Sequence, residues 1–193
     1  MRLFVALEIP SDVRENLAAF LEDLRGWCEP LGDNRVRGVR PENLHVTLKF
    51  IGEVAAARLN AIRNALSAVH ALAPLELRFR GLGFFPDAKH PTTLWTGLEA
   101  PAKLIELAGD IDRALETQGI PREKHAFVPH LTLARFATPV LQEKLRAAIQ
   151  KNAAREFGSF QAREFHLIES KLKPAGPEYT SFATFPLTPE TKH

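Results

Sequence analysis

The sequence is nearly without cysteine. Cys28 is its only one, which excludes an internal disulfide and any cysteine-based structural zinc site, and points to a reducing, cytoplasmic setting. An excess of one charge is also missing. With 25 Lys plus Arg against 23 Asp plus Glu, the chain is not a polycation that coats nucleic acid, so any RNA contact must come from a local basic patch. Long apolar runs are absent too. The opening Met1 to Pro10 stretch is cut by Glu8 and Pro10 far short of a membrane span or signal peptide, and it reads as a first strand. No Gly/Ser linker, low-complexity tract or block of like charge divides the chain. A Walker loop, a dinucleotide fingerprint and an HExxH helix are all lacking, so magnesium-dependent nucleotide hydrolysis and zinc-protease chemistry have no sequence support. His70, His90, His125, His166 and His193 show no metal-ligand spacing with cysteine or carboxylate, and neither metal nor cofactor is expected.

The 193 residues are 45% hydrophobic, enough to bury about 70% of the surface of the unfolded chain. One domain spanning residues 1–193 and made of two packed lobes is the expectation, with a monomer as the default state. Asp12 and Glu15 have the form of a capping pair ahead of Val13, Leu17, Phe20, Leu21 and Leu24, whose spacing is helical. A second helix is predicted from about Ala55 to Leu72, and a third from Pro101 to a stop at Gly119. A fourth opens at Thr138-Pro139, with Leu141, Leu145, Ala148 and Ile149 as its buried stripe. Strand character marks Asn43 to Ile51, Leu75 to Phe84, Thr92 to Leu98, Phe127 to Phe136, Phe160 to Leu172 and Tyr179 to Leu187. Alternating apolar and polar residues in several of these imply sheets with one face under helices and the other open.

Two strands carry the same short pattern, one in each half of the chain: His45-Val46-Thr47-Leu48 and His130-Leu131-Thr132-Leu133. Period-2 geometry sends His45, Thr47 and Lys49 to one face and Val46, Leu48 and Phe50 to the other. If a pseudo-twofold axis relates the halves, the two His/Thr pairs face each other across a groove. In-line hydrolysis of a cyclic phosphate needs a base for the attacking water and an acid for the departing sugar oxygen, on opposite sides of phosphorus. An imidazole serves either role near neutral pH. Each threonine, about 6.6 to 7 Å further along its strand, can donate its hydroxyl to a non-bridging phosphate oxygen. A single His-x-Thr on a strand is ordinary packing; two copies, one per half, point to a metal-independent catalytic pair.

On these motifs the chain resembles the 2H phosphoesterase superfamily, and in particular the RNA 2',3'-cyclic phosphodiesterases once called 2'-5' RNA ligases. The similarity extends to Arg2-Leu3-Phe4-Val5-Ala6-Leu7, Pro41-Glu42-Asn43-Leu44, Phe50-Ile51-Gly52-Glu53 and Gly81-Leu82-Gly83-Phe84-Phe85-Pro86. It also covers Leu94-Trp95, Pro129, Ala134-Arg135 and Glu169-Ser170-Lys171-Leu172. The resemblance implies a bilobal α+β fold, two antiparallel sheets facing a central groove with helices on the outer faces. It further implies hydrolysis of cyclic phosphate ends of RNA to 2'-phosphomonoesters, with His45 as proton donor to the leaving O3' and His130 as acceptor from water. The residues alone leave those two roles exchangeable. Reversible 2'-5' joining at the same site, a 2'-5' phosphodiesterase and a non-catalytic RNA-end binding module are the alternatives.

The resemblance also suggests that Arg135 lies near the phosphate. Strict alternation puts it on the face of Leu131 and Leu133, so only a bulge or strand end would turn it into the groove. Arg35, Arg37, Arg40, Lys171 and Lys173 are candidates for a basic rim along RNA backbone. Phe84 and Phe85 are candidates for stacking on the terminal base, with Phe84 preferred, and Trp95 reads as packing.

Overall fold

The computed structural model describes residues 1–28, 36–70, 72–137, 143–174 and 176–189. In the first strand, β1 (Arg2–Glu8), Leu3, Val5 and Leu7 face one way and Phe4 and Ala6 the other, and all five are buried. A strand buried on both faces belongs inside a sheet. It is flanked by β3 (His45–Glu53) and β9 (Glu164–Lys173), with β10 (Gly176–Pro186) outside β9, and every pairing is antiparallel. The second sheet, also antiparallel, runs in the order β2 (Val36–Gly38), β7 (His130–Phe136), β6 (Thr93–Glu99), β5 (Leu75–Phe85) and β8 (Glu156–Ala162). The short β4 (Leu72–Ala73) and β11 (Thr188–Pro189) pair in parallel.

Four helices cover the outer faces: α1 (Ser11–Cys28), α2 (Leu59–Ser67), α3 (Ala102–Glu116) and α4 (Glu143–Lys151). The α+β, bilobal arrangement follows: β1, α1, β3 and α2 correspond in order to β6, α3, β7 and α4. Two helices change sides. α1 leaves the first sheet and packs on β8, β2 and α4, whereas α3 leaves the second sheet and packs on β3 and α2. The α1 stripe of Val13, Leu17, Phe20, Leu21 and Leu24 is buried, and Phe20 meets Phe157 of β8 edge-on at 5.4 Å. Each such large apolar side chain contributes about 1.5–3 kcal/mol when buried. One continuous hydrophobic cluster therefore joins both sheets and the helices.

Several boundaries differ from the sequence expectation. Asp12 lies inside the first turn of α1, where its charge suits the helix N-terminus, rather than ahead of it. α2 starts at Leu59 after a single 3-10 turn, Ala56–Arg58, and ends at Ser67. The predicted strand from Phe160 to Leu172 is two strands, because the chain leaves the second sheet after Ala162 and enters the first at Glu164. Arg35, Thr138, Pro139 and Leu141 lie outside the described residues. No helix among the described residues is long and apolar enough to cross a membrane.

Candidate active site

The motif strands β3 and β7 approach each other at the junction of the sheets. A bulge interrupts each at the same place. On β3, Thr47 pairs with Ala6 and Lys49 with Val5, leaving Leu48 as the extra residue; on β7, Thr132 pairs with Trp95 and Ala134 with Leu94, leaving Leu133. The bulge shifts the phase of everything after it. Lys49 is thus 3% exposed on the helix side, not beside His45 and Thr47 as alternation predicts, and Phe50 emerges instead, 58% exposed. By the same shift Arg135 turns into the groove, the equivalent position on the other wall.

The groove between the sheets has a volume of 700 Å³, and His45, Thr47, His130, Thr132 and Arg135 all line it. Each imidazole is anchored alike. Nδ1 of His45 lies 2.7 Å from the Asn43 carbonyl oxygen, and Nδ1 of His130 lies 2.7 Å from that of Val128. A carbonyl only accepts, so Nδ1–H donates in both, and Nε2 is left for a substrate. Asn43 is itself fixed by donating its side-chain amide to the Pro177 carbonyl at 2.8 Å. Aromatic rings brace both histidines: Phe4 and Tyr179 pack on His45 at 4.7 and 5.3 Å, Phe85 and Trp95 on His130 at 4.9 and 6.3 Å. Gly83 leaves room for the indole, since a Cβ there would lie 2.2 Å from the Trp95 ring.

Burial pulls the His45 imidazole below its ordinary value of 6.5, opposed by its bond to Asn43. Burial also lowers His130, opposed by the Val128 bond, and the positive charge of Arg135 lowers it further. Removal from water pushes the Tyr179 phenol up, while Arg135 and Arg2 act the other way. Arg135 therefore sits within electrostatic reach of His130 on its own wall and Tyr179 on the other.

Of the predicted rim, Arg37 and Arg40 line the groove. Lys171 and Lys173 do not; they pair with Glu169 and Glu178 at 3.2 and 3.8 Å. Phe84 is a correction. It packs against the core and Phe136, away from the groove, because a bulge at Gly81 (φ 77°) resets the alternation of β5. Leu75, Leu77 and Phe79 face the helices before that bulge; Leu82 and Phe84 do so after it, and Phe85 takes the other face, against the His130 ring. Trp95 packs as expected but does so beside His130. Arg2, Phe4, Phe50 and Tyr179 are groove residues that the sequence reading did not assign to the site. For Phe50 and Arg2 no signal existed without the bulge and the pairing of β1; Tyr179 stood only as a strand start. Among the described residues, no cluster of three or more His, Cys, Asp or Glu side chains could hold a metal ion.

Two pseudo-symmetric sheets, each presenting a His-x-Thr strand to a shared groove, define a 2H phosphoesterase. The chain belongs to the 2'-5' RNA ligase superfamily, whose family model matches residues 13–174. It is 34% identical over 185 residues to a protein of Archaeoglobus fulgidus named RNA 2',3'-cyclic phosphodiesterase, covering 96% of this chain and 99% of that one. A protein of the same name from Methanothermobacter thermautotrophicus is 33% identical over 188 residues, covering 97% and 99%. A solved protein of Thermus thermophilus superposes with a TM-score of 0.79 at 31% identity, covering 99% of this chain and 100% of that one.

Proposed function

We propose that this chain hydrolyses the 2',3'-cyclic phosphate at RNA ends to a 2'-phosphomonoester, as a single two-lobed unit of residues 1–193. The observation that carries this reading is the duplicated anchoring of His45 and His130, which leaves an Nε2 on each wall of one groove. Supporting it, relatives of near-equal length bear the name of this activity. His130 Nε2 takes a proton from water as the water oxygen attacks phosphorus. The P–O3' bond breaks, and His45 Nε2 delivers its proton to the departing O3'. Charge building on the non-bridging oxygens is met by the hydroxyls of Thr47 and Thr132 and by the Arg135 guanidinium.

The electrostatics favour this assignment of roles. Burial first, and then the positive charge of Arg135, lower His130 and so favour the neutral form a base requires. Burial lowers His45, and a phosphate anion bound beside it would raise its proton affinity, as the acid role requires. Phe50, exposed in the groove beside Phe4 at 6.4 Å between ring centroids, offers a face for the terminal base. With a sugar hydroxyl replacing water, the same acid and base run 2'-5' joining in reverse. The chain acts as a cytoplasmic monomer: both motifs come from one chain, and its lone, buried Cys28 needs no oxidising compartment.

His45→Ala and His130→Ala are each expected to lower kcat on a nucleoside 2',3'-cyclic phosphate by about 10²–10⁴ while the circular dichroism spectrum is unchanged. Activity is expected to persist in excess EDTA. Full turnover by either variant, or loss on chelation, overturns the reading.

A further inference from the structure

The groove holds more positive charge than one cyclic phosphate requires. Arg37 of β2 pairs in register with Arg135 of β7, and both line the groove. Like charges directly opposite on neighbouring strands repel. No hydrogen bond or ion pair relieves either of them, or Arg2 on the opposite wall, among the described residues; the carboxylates nearby are engaged elsewhere, Glu42 with Arg40 and Glu169 with Lys171. Tyr179 responds to Arg135 and to Arg2, so charge from both walls converges there. This end of the groove lies one groove-facing position beyond Thr132 along β7.

We propose that Arg37, with Arg2 facing it, forms a second anion subsite, which takes the 5'-phosphate of the nucleoside whose cyclic phosphate is being opened. The proposal rests on the function above and names its substrate class: oligoribonucleotides, or nucleosides phosphorylated at both ends, in preference to a nucleoside 2',3'-cyclic phosphate with a free 5'-hydroxyl. Arg135 stays with the scissile phosphate, and Arg37 adds nothing to the chemistry.

The test compares kcat/KM for adenosine 2',3'-cyclic phosphate with and without a 5'-phosphate, in the wild type and in Arg37→Gln. The 5'-phosphate is expected to raise wild-type kcat/KM roughly tenfold or more through KM, the worth of a charge-assisted contact, and the gain should shrink with added salt. Arg37→Gln should erase that gain, and an unchanged circular dichroism spectrum and urea midpoint report that the variant is folded. Equal kcat/KM for the two substrates in the wild type overturns the proposal. So does a preference that survives in Arg37→Gln, or an equal loss on both substrates. Absence of turnover on either substrate by the wild type removes the function itself, an outcome distinct from these.

Discussion

Replacing Lys49 by methionine tests how the first motif strand is held. The ammonium is 2% exposed and bonded at 2.6 Å to Asp112 of α3, whose carboxylate is 18% exposed. It also donates to the Pro121 carbonyl at 2.7 Å and lies 3.3 Å from Glu123. Glu123 is 53% exposed and adds little through solvent screening. Breaking a buried pair by removing one partner costs about 3–5 kcal/mol, because the other charge stays behind without compensation. Asp112 keeps some access to water, so Lys49→Met should fall at the low end, about 3 kcal/mol. In a chain of this size that lowers Tm by roughly 6–12 °C. Urea unfolding should show the loss as a lower midpoint with the slope unchanged. Adding Asp112→Leu removes the stranded charge and fills its space, and most of the loss should return. If the single variant loses under about 1 kcal/mol, or the double variant is no more stable than the single, the buried pair is not what holds β3 to α3.

Three further expectations bear on the groove. In Arg135→Gln the positive charge that adds to burial in lowering His130 is gone, so the acidic limb of the kcat/KM profile should move to higher pH; an unmoved limb would refute the coupling. Both groove imidazoles, His45 and His130, are lowered on folding, so the unfolded chain binds more protons as pH falls through the ordinary value of 6.5. Their contribution to stability is therefore full above that value and lost toward their folded values, and His45→Asn should flatten the decline in urea midpoint over that window. Phe50→Ala should raise KM for adenosine 2',3'-cyclic phosphate about 5- to 100-fold, the worth of one stacked base, but leave glycerol 1,2-cyclic phosphate unaffected. An equal loss on both substrates would place Phe50 outside base recognition.

The paired motifs and their strands were legible because alternation holds from His45 to Leu48 and from His130 to Leu133. What followed was not. A bulge after each threonine exchanges the faces of Lys49 and Phe50 and turns Arg135 inward, and neither site carries a glycine or proline to announce it. The glycine that does mark a bulge, Gly81, moves Phe84 and Phe85 to opposite faces from those that simple counting assigns. Helix stripes were readable at α1 and α3, since Leu17 and Phe20 or Leu107 and Ile111 recur at helical spacing. Which sheet each stripe covers is a property of chain crossing, and local periodicity holds no record of it.

The exchange of α1 and α3 between lobes sets the order in which the molecule can be completed during synthesis. Asn16 of α1 donates to the Phe157 carbonyl, 141 residues later in the chain, in the strand that also receives Phe20. At about 5–20 residues per second, the apolar stripe of α1 emerges on the order of ten seconds before the surface that shelters it exists. The surface that buries the α1 stripe is complete only once β8 has been made, so the two lobes are joined through contacts of high sequence separation.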